Sequence, residues 1–433
     1  MTPPTDVPAG DADAVRRTID AVWRIECARI VATVARLVRD LGTAEEMAQD
    51  ALVAALEHWP RDGLPDNPAA WLVATAKRRA LDHLRHATLA ARKHEEIGHD
   101  LEAQEALIVP DFVDGLDAAR ADVIGDDLLR LIFTACHPVL STDARVALTL
   151  KVLGGLSTAE IARAFLVPEP TIAQRIVRAK RTLAAANVPF ELPVGDALAA
   201  RLQSVLEVVY LVFNEGYTAT AGDDWMRPQL CEDALRLGRI LAQLAPDEAE
   251  VHGLVALMEL QASRTAARTD AQGRPVLLLD QDRARWDWLL VRRGLDALDR
   301  ATALGGALGP YALQAAIAAC HGRATVADET DWTRIAALYD ALAQVMPSPV
   351  VALNRAVAVG MAFGPEAGLE ALDPLREEPA LRDYQWLPSV RGDLLARLGR
   401  REEAHAEFTR AAALARNVRE RELLAGRAAA MRD

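Results

Sequence analysis

Cysteine is scarce and scattered: Cys27, Cys136, Cys231 and Cys320 stand alone, with no CxxC pair and no histidine beside any of them except His137. That spacing argues against a disulfide framework and against a zinc site, and it reads as four reduced thiols buried as small hydrophobes. Aromatic residues make up only 5% of the chain, and the alternating β-branched or aromatic runs that mark strands are missing. No run of about 18 uncharged apolar residues appears. The N-terminal MTPPTDVPAGDADAV is polar and acidic rather than a basic start with an apolar core, so neither a span nor a leader is expected. The expectation is a soluble, cytoplasmic protein with no membrane partner. Also lacking is a surplus of positive charge: the formal net charge of −13 argues against nucleic-acid binding by the whole surface. Binding by one face remains open, because only the face that meets phosphate has to be basic.

What is present is helix, written in Ala, Leu, Arg and Val at helical spacing, and the predicted class is all-α. At 433 residues the chain exceeds one ordinary core, so two or three domains are expected. Basic residues of the first half gather in two places, Lys77, Arg78, Arg79, Arg85, Arg92 and Lys93, then Arg175, Arg178, Lys180 and Arg181. Between them, residues 95–127 carry many carboxylates opposed only by Arg120 and read as a linker. From about residue 196, amphipathic segments follow one another with breaks expected at Gly216, Pro246, Gly273, Gly309, Pro347, Gly364, Pro379 and Gly399, a helical array. Near its end Gly392 and Leu395 on one helix, and Ala404, Phe408 and Ala411 on the next, have the small-and-large pattern of tetratricopeptide packing, with Ala367 in the position of Ala404 one degenerate repeat earlier.

The most informative stretch is LSTAEIARAFLVPEPTIAQRIVRAKRTL, 156–183. Ser157 with Glu160 makes a capping box, Val167 and Pro168 end the first helix, and Pro170 suits the first position of the second. Ile172, Ile176, Ala179 and Leu183 form one apolar stripe. The opposite face, Thr171, Gln174, Arg175, Arg178 and Arg181, carries donors and no carboxylate. That is a helix-turn-helix whose second helix suits a major groove. Leu166 stands where many such turns have Gly.

Upstream, NPAAWLVATAKRRALDHLRH is a second helix with a basic outer face (Lys77, Arg78, Arg85, His86), capped by Asn67 and started by Pro68. Before it, GTAEEMAQDALVAALEHWP has a capping box in Thr43 and Glu46 and a polar outer face of Glu45, Glu46, Gln49 and Asp50. One acidic and one basic face on neighbouring helices point to two different partners. In this order, helix 43–59, loop 60–66, helix 67–86, spacer and helix-turn-helix resemble the extracytoplasmic-function sigma factors of bacterial RNA polymerase.

The resemblance implies sigma region 2 over 10–88, an acidic linker over 89–125, and region 4 over 126–187. The rest, 196–433, looks like the long tetratricopeptide-like extension of one sigma subgroup, implied to regulate activity. It also implies core polymerase on Glu46, Gln49 and Asp50, −35 DNA on Thr171, Gln174, Arg175, Arg178 and Arg181, and −10 DNA on Trp71, Lys77, Arg78, Arg79 and Arg85. Arg78 replaces an Asn often seen there. Loop 61–66, RDGLPD, would receive an unstacked base, with Trp71 either a stacking platform or core. No cofactor, metal or enzymatic activity is implied. The linker would be either a plain tether or an anionic segment competing with RNA in the polymerase channel.

One stretch stands apart, YLVFNEGYTATAGDDW at 210–225. Asn214, Glu215 and Tyr217 there suggest a regulatory corner, a small-molecule or protein site, or an enzyme centre. No nucleophile–base pair, phosphate loop or metal constellation accompanies them. The expected structure is an Asn-Glu-Gly turn packed by Tyr210, Phe213 and Tyr217, with Glu215 bonding free backbone N–H groups. A plain activator, a helix-turn-helix joined to a sensor, is the other reading of the whole chain, and it has no use for the two upstream helices.

Overall fold

The computed structural model describes residues 9–95, 127–165, 167–193, 196–218 and 225–432. Among these the chain is helix, 3-10 turn and loop, with one isolated antiparallel bridge from Thr269 to Pro275 and no strand. The all-α expectation holds. The acidic tract and Leu166 lie outside the described residues. Two compact bodies, Met1–Val208 and Val209–Asp433, divide within a single helix, α8.

In the first body α1 (Ala9–Val38), α2 (Leu41–Asp62) and α3 (Pro68–Glu95) pack on one another. Ala44, Ala48, Ala51 and Ala55 recur on one face of α2 and are fully buried, which lets α1 and α3 come close. Two expectations need correction. The cap of α2 is Asp40, whose carboxylate accepts from Thr43 N at 2.7 Å and Thr43 Oγ1 at 2.8 Å, so Thr43 is bound by the cap rather than being it. And α3 continues to Glu95, past the boundary drawn at 88, because nothing from Asp82 to Glu95 breaks a helix. Asn67 does cap α3, accepting from Ala70 N at 3.0 Å.

The second half of this body is α4 (127–135), α5 (Thr142–Val152), α6 (Thr158–Phe165) and α7 (Glu169–Ala185). The first turns of α8 (Asp196–Tyr217) are fastened to it. Buried Arg145 donates to Ser204 Oγ at 2.5 Å and Glu207 Oε2 at 3.0 Å, Ser204 donates to the Cys136 carbonyl at 2.6 Å, and Arg201 donates to the Phe133 carbonyl at 2.7 Å. The start of α8 therefore belongs with the helix-turn-helix, later along the chain than the break expected near 190. One stretch, Ala197–Tyr217, is long and apolar enough to cross a membrane by length and composition alone. Its Val205, Leu206, Val208, Val209, Val212 and Phe213 are buried inside the protein.

The second body is built around α10 (Ala249–Ala262), on which α9 (Pro228–Leu244), α11 (Trp288–Ala303) and α12 (Pro310–Arg323) pack. Glu250 of α10 caps α12 from outside, accepting from Tyr311 N at 2.8 Å and Ala312 N at 3.1 Å. Residues 263–287 form 3-10 turns rather than a helix, a longer interruption than a single glycine break. The array then runs on through α13 (Trp332–Val345), α14 (Pro349–Phe363), α15 (Pro365–Leu372), α16 (Trp386–Arg397), α17 (Arg401–Leu414) and α18 (Val418–Ala430). Gly392 faces the Phe408 ring, where an added Cβ would lie 3.0 Å from it, and Ala404, Phe408 and Ala411 are fully buried. In the earlier pair the close approach is made by Gly368 against Gly360, while Ala367 is half-buried beside it.

Gly216 is not a break. It lies inside α8, and an added Cβ would sit 2.6 Å from the Cys231 amide nitrogen and 2.8 Å from Leu230 Cβ. The backbone of α9 leaves no room to yield. Gly216→Ala should therefore lower stability by about 1–3 kcal/mol, read as a fall in the thermal midpoint by calorimetry. All four cysteines are buried, and burial pushes the Cys136 thiol up to about 11 and that of Cys231 to about 12. Neither should react with iodoacetamide at neutral pH until the protein is unfolded in guanidinium.

Candidate nucleic-acid interface

The helix-turn-helix forms as its residue pattern requires. Ser157 Oγ accepts from Glu160 N at 3.1 Å, and Glu160 Oε2 accepts from Ser157 N at 2.8 Å, a reciprocal capping box. Burial would raise the Glu160 pKa, but the Ser157 hydrogen bonds and the charges of Arg24 and Arg163 bring it below the usual value. Pro168 ends the loop, and α7 begins at Glu169, so Pro170 occupies its second position rather than its first. Ile172, Ile176, Ala179 and Leu183 are buried as one stripe.

That packing turns Thr171, Gln174, Arg178 and Arg181 outward, all exposed. Arg175 is half-buried and meets Asp143 of α5 at 3.2 Å, a partner that sequence spacing alone did not indicate. A groove of 350 Å³ runs beside this face, walled by Val139, Ser141 and Asp143 on one side and Thr171, Gln174 and Arg178 on the other. With exposed guanidiniums and an amide along one helix face, it is chemically suited to phosphates and base edges.

On α3, Lys77, Arg78, Arg79 and Arg85 are exposed. Arg79 pairs with Asp50 of α2 at 3.3 Å, and Arg85 with Asp82 at 3.1 Å. Both pairs are open to water and contribute little stability, so a phosphate can compete for either arginine. The acidic face of α2 therefore meets the basic face of α3 at one edge, with Glu46 exposed and Gln49 and Asp50 half-buried, whereas Glu45, expected on that outer face, is buried against Lys151 and Lys180 because it turns toward α5 and α7.

Trp71 is half-buried, with its ring edge-on to Trp59 at 5.4 Å between centroids. The two rings wall a pocket of 370 Å³ with His58, Asp62, Gly63, Leu64 and Pro65. His58 and Trp59 were not singled out from sequence, because they fall on the last turns of α2, which runs three residues into the expected loop 60–66. Gly63, at φ 87°, ends that helix with its N–H on the Trp59 carbonyl. The loop and Trp71 of this pocket are expected from sequence; His58 and Trp59 are what the structure adds to them.

In the second body, the 214–217 corner is held by side chains rather than open to a substrate. Asn214 is exposed, Glu215 pairs with Arg227, and Tyr217 stacks on Phe213 at 5.7 Å between ring centroids. Arg268 lies over the Tyr217 ring at 3.5 Å and that of Trp225 at 4.4 Å, and donates to the Tyr217 carbonyl. Glu215 is thus bound to a guanidinium, and the helix runs on through Tyr217 where a turn was expected. Among the described residues no group of three or more His, Cys, Asp or Glu is arranged to hold a metal ion.

Comparison with known proteins agrees with this arrangement. Residues 27–89 match the family "Sigma-70 region 2", residues 130–183 match "Sigma-70, region 4", and residues 201–302 match a family of unknown function, DUF6596. An uncharacterized protein of Rhizobium meliloti (strain 1021) is 45% identical over 386 residues, 89% of each chain. The ECF RNA polymerase sigma factor SigK of Mycobacterium ulcerans (strain Agy99) is 30% identical over 161 residues, 36% of this chain and 79% of its own. The ECF sigma factor SigC of Mycobacterium tuberculosis (strain CDC 1551 / Oshkosh) is 31% identical over 178 residues, 41% of this chain and 83% of its own. With both sigma regions in order, a helix-turn-helix in the second and relatives matched over most of their length, the chain belongs to the extracytoplasmic-function family of RNA polymerase sigma factors and carries a long helical C-terminal extension.

Proposed function

We propose that this sigma factor reads a −35 element with α7, captures melted −10 DNA on α3 and in the adjoining pocket, and docks on core polymerase through Glu46, Gln49 and Asp50. The coarser statement comes with the family: such proteins act in transcription initiation with core RNA polymerase at promoter DNA, and are in general not enzymes. The observation that carries the finer reading is the pair of exposed basic helix faces, with the aromatic pocket beside the first of them.

On α7, Gln174, Arg175, Arg178 and Arg181 offer donors to guanine edges and phosphates, with Thr171 at the start of the same face. On α3, Lys77, Arg78, Arg79 and Arg85 hold the backbone of one strand. Unstacking a base costs a few kcal/mol, and stacking it on an aromatic side chain returns about 1–3 kcal/mol, so a pocket walled by Trp59 and Trp71 offsets most of the cost. His58 and Asp62 supply polar atoms at its rim for the edge of the base. Trp71 serves both roles open to it, packing on Trp59 while presenting a face to the pocket.

The chain does no covalent chemistry on this reading, since Glu215, the carboxylate most like a catalytic one, is occupied by Arg227. The extension regulates activity through its outer surfaces, where a small protein or ligand binds; Glu215 and Tyr217 hold a corner whose exposed residue is Asn214. The domain limits 10–88, 89–125, 126–187 and 196–433 and the cytoplasmic location are part of the same proposal, with the first limit moved to the end of α3 at Glu95 and the start of the last unit to about 208.

Purified protein and core polymerase alone should transcribe from a promoter with both elements; a requirement for another sigma factor would make the protein an activator instead. Arg178→Ala should weaken −35 binding and lower the salt slope of log K by about one. Trp71→Ala should spare −35 binding while lowering open-complex formation about tenfold, measured as permanganate reactivity of melted thymines. A chain ended after Val208, compared with the full chain in the same assay, reports the sign of the extension's effect.

A further inference from the structure

Between α10 and α11 the second body seals three arginines almost completely from water: Arg264 is 9% exposed, Arg268 5% and Arg283 7%. Among the described residues none of the three meets a carboxylate in an ion pair. Arg268 is met by the Tyr217 carbonyl and by Thr218 Oγ1 at 3.0 Å, and Arg283 by the carbonyls of His321 and Ala324. Arg264 is met by neither: its Nε has no hydrogen-bond partner, and among the described residues the rest of its guanidinium has none. What lies beside it is aromatic, with the Tyr217 ring centroid 5.9 Å and the Trp286 centroid 6.0 Å from the guanidinium carbon.

The surroundings of Arg264 offer donors and few acceptors. Trp286 Nε1, which can only donate, is buried without a partner, and so is His321 Nδ1. Among the described residues the hydroxyls of Tyr210, Tyr217 and Tyr339 make no hydrogen bond, and the three half-buried rings keep part of their surface open. These phenols are neighbours: burial and then Tyr217 push the pKa of Tyr210 up, and burial and then Tyr210 push that of Tyr339 up to about 12. The carboxylates whose charge reaches the other two arginines are engaged elsewhere, Glu420 accepting from Gln385 and Glu329 from Thr325. Glu259 of α10 is taken by Arg239 and Arg293.

A charge this deeply buried is costly unless an opposite charge meets it, and the fold itself supplies none to Arg264. We propose that Arg264 anchors a binding site for a small organic oxyanion, a carboxylate or a phosphate, with the Tyr210 and Tyr217 hydroxyls as further donors. The planar guanidinium offers two parallel N–H donors to two oxygens of such a group, which a lysine cannot do. The Tyr217 and Trp286 rings supply apolar walls for the body of the ligand. An arginine so enclosed admits a small molecule and not a folded surface, so this site lies inside the second body rather than on the outer faces of the extension. It does not rest on the promoter reading, because binding is measured without DNA or polymerase.

The probes are benzoate and inorganic phosphate, each titrated into the full chain by isothermal calorimetry against chloride of equal ionic strength. One of them should bind once per chain with a dissociation constant below about 1 mM, benzoate marking a carboxylate ligand and phosphate a phosphorylated one. At about 100 times that constant the thermal midpoint should rise by about 5–10 °C. Arg264→Lys keeps the charge but loses the fork, and should weaken binding at least about tenfold. Arg264→Met removes the unmet charge: it should abolish binding while leaving the midpoint of the ligand-free protein unchanged or raised, which a purely structural arginine would not do.

Failure of both probes to bind at about 10 mM overturns the site. So does a probe that binds wild type and the Arg264 variants alike, since it then sits elsewhere. If Arg264→Met does not fold, Arg264→Lys and Tyr217→Phe decide: the second keeps the ring and removes one donor, so it should weaken binding several-fold. Unchanged binding in both overturns the site.

Discussion

Helices in a chain with few aromatic rings bury enough surface only by coming very close, and this protein meets that constraint with alanine and glycine at the crossings. Gly216 against Cys231, Gly253 against the start of α12, Gly368 against Gly360 and Gly392 against Phe408 are points where a single Cβ would meet an atom at 3.0 Å or less. Side chains at such crossings have no freedom to bind anything. Groups open to a partner therefore lie on outer faces such as those of α2, α3 and α7, whose inner faces are tightly packed.

Charge is the second organising term. Several ionised groups are almost sealed from water, and each is met inside the fold. Glu259, 1% exposed, has Arg239 at 2.8 Å and Arg293 at 3.5 Å. Arg283 donates to the His321 and Ala324 carbonyls, both at 2.6 Å, which satisfies the end of α12, and lies over the Trp286 ring at 4.7 Å. Breaking one member of such a set leaves a buried charge without compensation, which is far more costly than losing a surface pair. His321 is held neutral: burial, with Arg264 and Arg283 nearby, pushes its pKa down to about 3, so it does not sense pH in the physiological range. The arginine-rich composition is thus partly structural, and counting basic residues overstates what is available to DNA.

Much of the site could be read in the residues themselves. The capping box at Ser157 and Glu160, the Asn67 cap and the stripe Ile172, Ile176, Ala179 and Leu183 are local patterns set by helix geometry, and each recurs in the fold. The local reading failed where a distant partner decides the outcome. Gly216 looks like a helix stop until α9 is seen pressing on it. Glu215 reads as a carboxylate for backbone N–H groups, and only the fold brings Arg227 to it from across the corner. Asp40 takes the cap from Thr43 because the chain before α2 turns at Arg39, whose φ is 55°.

By itself the sequence determined the helical class, the positions of the basic faces and the helix-turn-helix, because these depend on periodicity and on neighbours three or four residues away. Only the tertiary structure decided that Trp59 and Trp71 wall one pocket, that the start of α8 belongs with α4 and α5, and that Glu45 reaches two lysines more than 100 residues away in the chain. Those outcomes follow from which surfaces meet when separate helices bury their apolar stripes, and one-dimensional spacing carries no record of that.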